Sequence, residues 1–137
     1  MLATVLNTNE VKNAAGVEVE FERRFTDQST LEFKAILETP ASPHRLAVKH
    51  QETGVGSEKT RRSVIRIDKT VAGTSGKPRV HSAYLVNVIP VGDIADYSED
   101  KNVLAELLSF YATTGAGTTV LFDCSGNGAS AAINGSL

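Results

Sequence analysis

TRRSVIRIDKTV, residues 60–71, reads with a period of two. Arg62, Val64, Arg66, Asp68 and Thr70 fall on one side, and Ser63, Ile65, Ile67 and Lys69 on the other. Side chains alternate across a strand, so this stretch is a strand with an oily face and a mostly charged face. Its neighbours repeat the pattern. HRLAVKHQ (44–51) sets Leu46, Val48 and His50 against Arg45, Ala47 and Lys49. The polar ETGVGSE (52–58) turns the chain between the two. AGTSGKP (72–78) is a Gly/Ser/Pro loop, and RVHSAYLVNVIPV (79–91) is a long strand with Tyr84 in its middle. Pro90 marks a bend or an edge near its end.

Further out, VEVEFERRF (17–25) sets Val17, Val19 and Phe21 against Glu18, Glu20 and Glu22, and TLEFKAIL (30–37) continues the alternation. NAAG (13–16) and TDQS (26–29) are turns, ETPASP (38–43) is a loop, and ATVLN (3–7) is a short first strand. The period changes after Asp93. Val103, Leu104, Leu107, Leu108 and Tyr111 recur at helical spacing, Asp96 and Glu99 stand at capping-box spacing, and Gly115 is a stop. This predicts a helix over about 98–113. TTVLFDC (118–124) reads as a short helix or a strand, and 125–137 as a small-residue tail.

Strands followed by helix predict an α+β fold, with the helix packed on one face of an antiparallel sheet. One helix about 10 Å wide cannot cover five strands spaced ~4.8 Å apart. A second copy of the chain is the simplest cover for the remainder, because closed two-fold dimers are the commonest soluble oligomers.

The chain has 137 residues, of which 41% are hydrophobic, so it suits one globular domain. No apolar run approaches the ~20 residues of a membrane helix, and the N-terminus does not read as a signal peptide. A single cysteine, Cys124, excludes an internal disulfide framework. The net charge of −2 conceals a segregation. Residues 43–79 hold nine Lys/Arg against three Asp/Glu, whereas residues 80–137 hold one against six.

No catalytic, metal or cofactor site is expected. His44, His50 and His81 lack metal-ligand spacing. The loop AGTSGKP fails as a phosphate loop, since Val71 stands where its first glycine belongs and Pro78 where the magnesium-binding hydroxyl belongs. What remains is the basic middle. Matched alternation predicts Arg45 and Lys49 beside Arg62 and Arg66 on one sheet face. Like charges on neighbouring strands cost stability unless a polyanion offsets them, so the face points to nucleic acid. Tyr84 would add a stacking platform if it shares that face.

The order of elements resembles the coat protein of single-stranded RNA bacteriophages, the leviviruses. The likeness rests on residues 43–113: HRLAVKHQ, TRRSVIRIDKTV, the Gly-rich loop, HSAYLVNVIPV and the acid-started helix SEDKNVLAELLSFY. It implies one coat-protein domain over 1–137, with an N-terminal β-hairpin in 1–25, a five-stranded antiparallel meander in 29–92, a helix in 97–114 and the tail in 125–137. The C-terminal helix, or two helices, would interlock with a partner subunit in a dimer.

Dimers would build an icosahedral shell in the bacterial cytoplasm around single-stranded RNA, with no membrane and no enzymatic activity. The RNA-facing positions would be Arg45, Ala47, Lys49, Arg62, Val64, Arg66, Asp68 and Tyr84, together with Val86 or Asn87. Ala47 and Val64 stand where better-known members carry small hydroxyl residues. The loop Gly73, Thr74, Ser75, Gly76 and Lys77 would pack at the shell's symmetry axes, and an operator hairpin would be a further ligand. A small dimeric RNA-binding regulator that forms no shell is the alternative.

Overall fold

The computed structural model describes residues 4–6, 10–112 and 122–135. They form two compact units, one holding residues up to Val11 with Val19–Ile94, the other holding Lys12–Glu18 and residues from Ala95 onward. In the first unit β1 (Val5–Leu6), β2 (Phe21–Thr26), β3 (Thr30–Ala35), β4 (His44–Thr53), β5 (Thr60–Ala72) and β6 (Pro78–Pro90) lie side by side in chain order. Every neighbouring pair is antiparallel. The second unit carries α1 (Ser98–Ala112) and α2 (Asn127–Asn134). The fold is α+β, as the pattern of periods predicts.

Phe21, Phe33, Ala35, Leu46 and Val48 share one face of the sheet, and with Leu6 they form the buried core. Phe21 and Phe33 are wholly enclosed. Val11, Val19, Leu31 and Ile67 pack against this cluster. The core therefore sits under β1–β4. Towards β6 the same face opens, and Ile65 is exposed. The shortage of cover expected from the sequence falls at this end.

Two strands are shorter than their alternation suggested. The 17–25 stretch pairs as a strand only from Phe21. Ahead of it the Asn13 side chain accepts the backbone N–H groups of Ala15 and Val17, at 3.0 Å each, and holds the chain in a turn. At the other boundary β3 stops at Ala35, and Leu37 lies almost fully exposed in the following turn.

His44 opens β4 and sets its ring edge-on to Phe21, with centroids 5.1 Å apart. Burial, then the charge of Lys69 across the ladder, hold its imidazole below the ordinary value of 6.5, against a weaker opposing pull from Glu38. The unfolded chain therefore takes up this proton more readily than the folded one. The stability due to neutral His44 is complete above about 6.5 and falls as the pH drops below it. Thermal unfolding followed between pH 7.5 and 5.5 should show a falling midpoint, and His44→Asn should flatten that slope.

In the second unit α1 begins where expected, with Glu99 and Asp100 in its first turn favoured by the helix dipole. Asp96 accepts the Ser98 backbone N–H at 2.8 Å and the Ser98 hydroxyl at 2.5 Å. It thus caps through Ser98 rather than through the spacing to Glu99. Val103, Leu107, Phe110 and Tyr111 of α1 remain exposed. The predicted stop at Gly115, and residues 118–121 of the TTVLFDC run, lie outside the described residues.

The stretch read as a tail contains α2. Its small residues serve packing. A Cβ on Gly126 would stand 2.6 Å from the carbonyl oxygens of Phe110 and Tyr111, and one on Gly128 would stand 2.5 Å from the Phe110 ring. Ala129 is wholly buried, and Gly135, at φ +66°, ends the helix with its N–H on the Ala131 carbonyl.

Candidate nucleic-acid interface

The register of β4, β5 and β6 decides what the charged face looks like. Arg45 pairs with Asp68 and Asp68 with Ser82; Ala47 pairs with Arg66 and Arg66 with Tyr84. Lys49 pairs with Val64 and Val64 with Val86, and Gln51 pairs with Arg62 and Arg62 with Val88. Cross-strand partners share a face, so Arg45, Lys49, Arg62, Val64, Arg66, Asp68 and Tyr84 all lie on the face opposite the core. The expected side-by-side crowding of arginines and lysines does not occur. Across β4, β5 and β6 each cation directly faces a neutral or acidic residue and like charges meet only on diagonals, while on the β3 side Arg45 stands opposite Lys34. This arrangement removes most of the repulsion that the sequence implied.

Ion pairs reduce the charge further. Lys34 meets Glu22 at 2.8 Å, Arg45 meets Glu38 at 2.7 Å and Arg66 meets Asp68 at 2.5 Å. Lys59 and Arg61, at the start of β5, both engage Glu52, at 2.6 and 2.8 Å. Arg61 is therefore a rim residue on the core side of the sheet. Lys49 and Arg62 are exposed, and neither has a carboxylate within ion-pair distance among the described residues. Lys49 acts on Asp27 only at longer range. These two cations are the ones available to an incoming phosphate.

The middle of the face is a compact constellation. The Arg66 guanidinium lies 4.8 Å from the centroid of the Tyr84 ring, a cation–π contact. Asp68 accepts from Ser82 Oγ and pairs with Arg66. Burial pushes the Asp68 carboxyl up, but these partners outweigh it and hold the group below the usual carboxylate range. Asp68 is thus a fixed anion that orients Arg66 against Tyr84. Tyr84 is 57% exposed, and the Arg66 guanidinium braces its ring. Val80, Val86 and Val88 on β6 are exposed on the same face and continue an apolar strip along the strand.

The register also decides between Val86 and Asn87. β5 and β6 pair from Thr60↔Pro90 to Ala72↔Pro78 with no shift. Val86 therefore shares the outer face with Tyr84, whereas Asn87 lies opposite Ser63 on the core side. On that side Ser63 Oγ is 2.8 Å from His50 Nδ1. Gly73–Lys77 forms the exposed link between β5 and β6, closed by Gly73 N–H on the Lys77 carbonyl at 2.8 Å. Among the described residues no group of histidine, cysteine and carboxylate side chains is arranged to hold a metal ion, and no helix is long and apolar enough to cross a membrane.

No family model matches the sequence, and no curated protein matches it. Solved structures do match. The coat protein of bacteriophage EMS014 superposes with a TM-score of 0.64 at 14% identity, over 97% of this chain and 95% of that one. The virus-like particle of bacteriophage GQ-907 matches with a TM-score of 0.53 at 15% identity, over 72% and 83% of the two chains. That of Wenzhou levi-like virus 4 matches with a TM-score of 0.54 at 17% identity, over 78% and 73%. The chain has the levivirus coat-protein fold.

Proposed function

From this fold we propose that the protein is the structural subunit of a phage capsid, which dimerises, closes into an icosahedral shell and binds single-stranded genomic RNA on the outer face of its sheet. The observation that carries the RNA reading is that Lys49 and Arg62, which have no carboxylate within ion-pair distance among the described residues, share the outer face with the open Tyr84 ring, one and two cross-strand rows from it. Cations give salt-dependent affinity for phosphates, and an aromatic face accepts any base. Arg45, Val64, Arg66 and Asp68 complete the same face. The dimer reading rests on the exposed Ile65 and on the exposed Val103, Leu107 and Phe110 of α1. Apolar surface of this kind calls for a partner.

In the shell the whole chain would act as one coat-protein domain in a virion assembled in the bacterial cytoplasm, without membrane or catalytic chemistry. Gly73–Lys77 would meet its copies at the symmetry axes, and an operator hairpin would be a further ligand of the Tyr84 face. Expression of the chain alone in bacteria tests the reading. Uniform particles holding nuclease-protected RNA are the expected result. A monodisperse, RNA-free monomer or dimer under all conditions would overturn it, and a dimer that retains RNA but never forms particles would identify a smaller RNA-binding module.

A further inference from the structure

The face of β4–β6 that continues the core is built in rows. Leu46–Ile67–Ala83 and Val48–Ile65–Leu85 make two apolar rows across the three strands. Beyond them, towards the β5–β6 loop, His44 faces Lys69 and Lys69 faces His81, and one row further Val71 faces Arg79. Lys69, Arg79 and His81 are exposed, and none has a carboxylate within ion-pair distance among the described residues. At the β4–β5 hairpin end the cations are already matched, because Glu52 engages both Lys59 and Arg61. One corner of this face is therefore basic and unmatched. It lies on the side away from Tyr84, so the RNA face does not account for it.

The acids that fit this corner stand in one short block. Asp93–Asp100 holds four carboxylates and no cation. Among the described residues Asp93, Asp96 and Glu99 have no cation within ion-pair distance. Asp96 is occupied by Ser98, whereas Glu99 is exposed in the first turn of α1. Glu99, Val103 and Leu107 follow one another at four-residue spacing, so they form one stripe of the helix, and all three are exposed. The stripe runs from acidic to apolar, and the sheet face runs from basic to apolar. A helix that starts over the basic corner sets carboxylates on cations and Val103 and Leu107 towards the apolar rows. The opposite direction carries the acids towards Glu52.

The free edge of β6 brings the two features together. β6 is the last strand of the sheet, and no described strand pairs with its outer edge. Val91 N–H reaches the Lys59 carbonyl and Gly73 N–H the Lys77 carbonyl, both at 2.8 Å, so with an unshifted register the odd-numbered residues of β6 bond to β5. The even-numbered ones, Val80 to Val88, point their N–H outward between Pro78 and Pro90, which have none to give. A second copy running antiparallel along this edge ends its own β6 at the Pro78 end, so its Asp93 and the start of its α1 emerge beside Arg79.

We propose that the acidic start of α1, Asp93 with Glu99, locks onto the Lys69–Arg79–His81 corner of a second copy's sheet, and that this charge match decides which copies pair and which way the helix runs. The lock rests on the reading that the protein dimerises, and it is separate from the RNA face.

Charge reversal in two co-expressed chains tests it. One carries Lys69→Glu and Arg79→Glu, the other Asp93→Lys and Glu99→Lys. Like charges meet in both homodimers, and opposite charges meet at both corners of the heterodimer. In native mass spectrometry the heterodimer should outnumber each homodimer by at least about tenfold, where chance gives about twofold. A single chain carrying all four substitutions should form homodimers as the parent does. A chance distribution would overturn the lock and leave the dimer intact. Recovery in the four-substitution chain without recovery in the mixture would put the contact inside one chain, which also overturns it.

Lys69→Gln with Arg79→Gln is the milder variant. Its dimer should dissociate with a flatter salt dependence than the parent's, while its binding of a single-stranded oligonucleotide keeps the parent's slope. Dimer dissociation with the parent's salt dependence would overturn the lock, and a flattened RNA slope alongside it would make the corner a second RNA contact. A parent chain that sediments as a monomer would overturn the dimer reading itself.

Discussion

Particles assembled from a chain carrying both Lys49→Ala and Arg62→Ala are expected to hold far less RNA than the parent, with the sheet folded as before. Both side chains are exposed, and neither supports an ion pair among the described residues, so their loss removes charge without breaking an ion pair. Each dimer gives up four cations. At about −0.7 per phosphate contact on single strands, the slope of log affinity against log salt should flatten by roughly 3. Filter binding of a single-stranded oligonucleotide to the isolated dimer, over a salt series, reads that slope directly.

Arg66→Ala should behave differently. Arg66 is already balanced by Asp68, and removing it strips the brace from Tyr84 and leaves an uncompensated carboxylate on the RNA face. Binding should fall at every salt concentration, and the base-stacking contribution should fall with it. If the two variants were indistinguishable, the surface would be acting as a uniform positive field rather than as separate phosphate and base sites.

The contrast between Arg62 and Arg66 marks how far the sequence could be read. Alternation in TRRSVIRIDKTV puts both on one face, and the structure agrees. What alternation cannot supply is the register. That is fixed by the β4–β5 hairpin, where Gly54 adopts φ +86° and the backbone turns back within 2.6 Å of where a Cβ would sit. A hairpin two residues longer or shorter would keep every residue on its face and still exchange its neighbours. That Arg45 meets Asp68 on β5, rather than Arg62 or Arg66, is therefore invisible from spacing alone. The same holds for Val86 and Asn87, which an unshifted ladder separates and a single bulge would have exchanged.

Helix α2 was hidden for another reason. A helix is recognised by a stripe of large apolar residues, and α2 has few because it lies close to Phe110 of α1, where Gly128 and Ala129 leave room that larger side chains would fill. The pattern NGASAAINGS does hold a cue, in the five small residues 128–132 and in Gly135 at the C-terminal cap. The exposed edge of β6 was legible in part, since its two prolines are in the sequence. Their meaning was not, because a proline twelve residues from another matters only once the outward-facing positions are known.

The free edge yields the second large effect. Val86→Pro is expected to leave a folded monomer that makes no particles. Residue 86 points its N–H away from β5, so the substitution spares the internal ladder and, in the proposed dimer, removes a donor on an edge that no described strand pairs. By symmetry each dimer loses that donor twice and leaves two carbonyls of the second copy facing a ring. At about 2 kcal/mol for each unmet group, the cost is roughly 4 kcal/mol, or close to a thousandfold in dimer affinity. Leu85→Pro, one residue away, removes an N–H that bonds to β5 and should damage the fold itself. Circular dichroism and sedimentation velocity on the two variants separate these outcomes. A Val86→Pro chain that still assembled would mean that the shell is built without the β6 edge, and the apolar surface of α1 would then have to hold the copies together unaided.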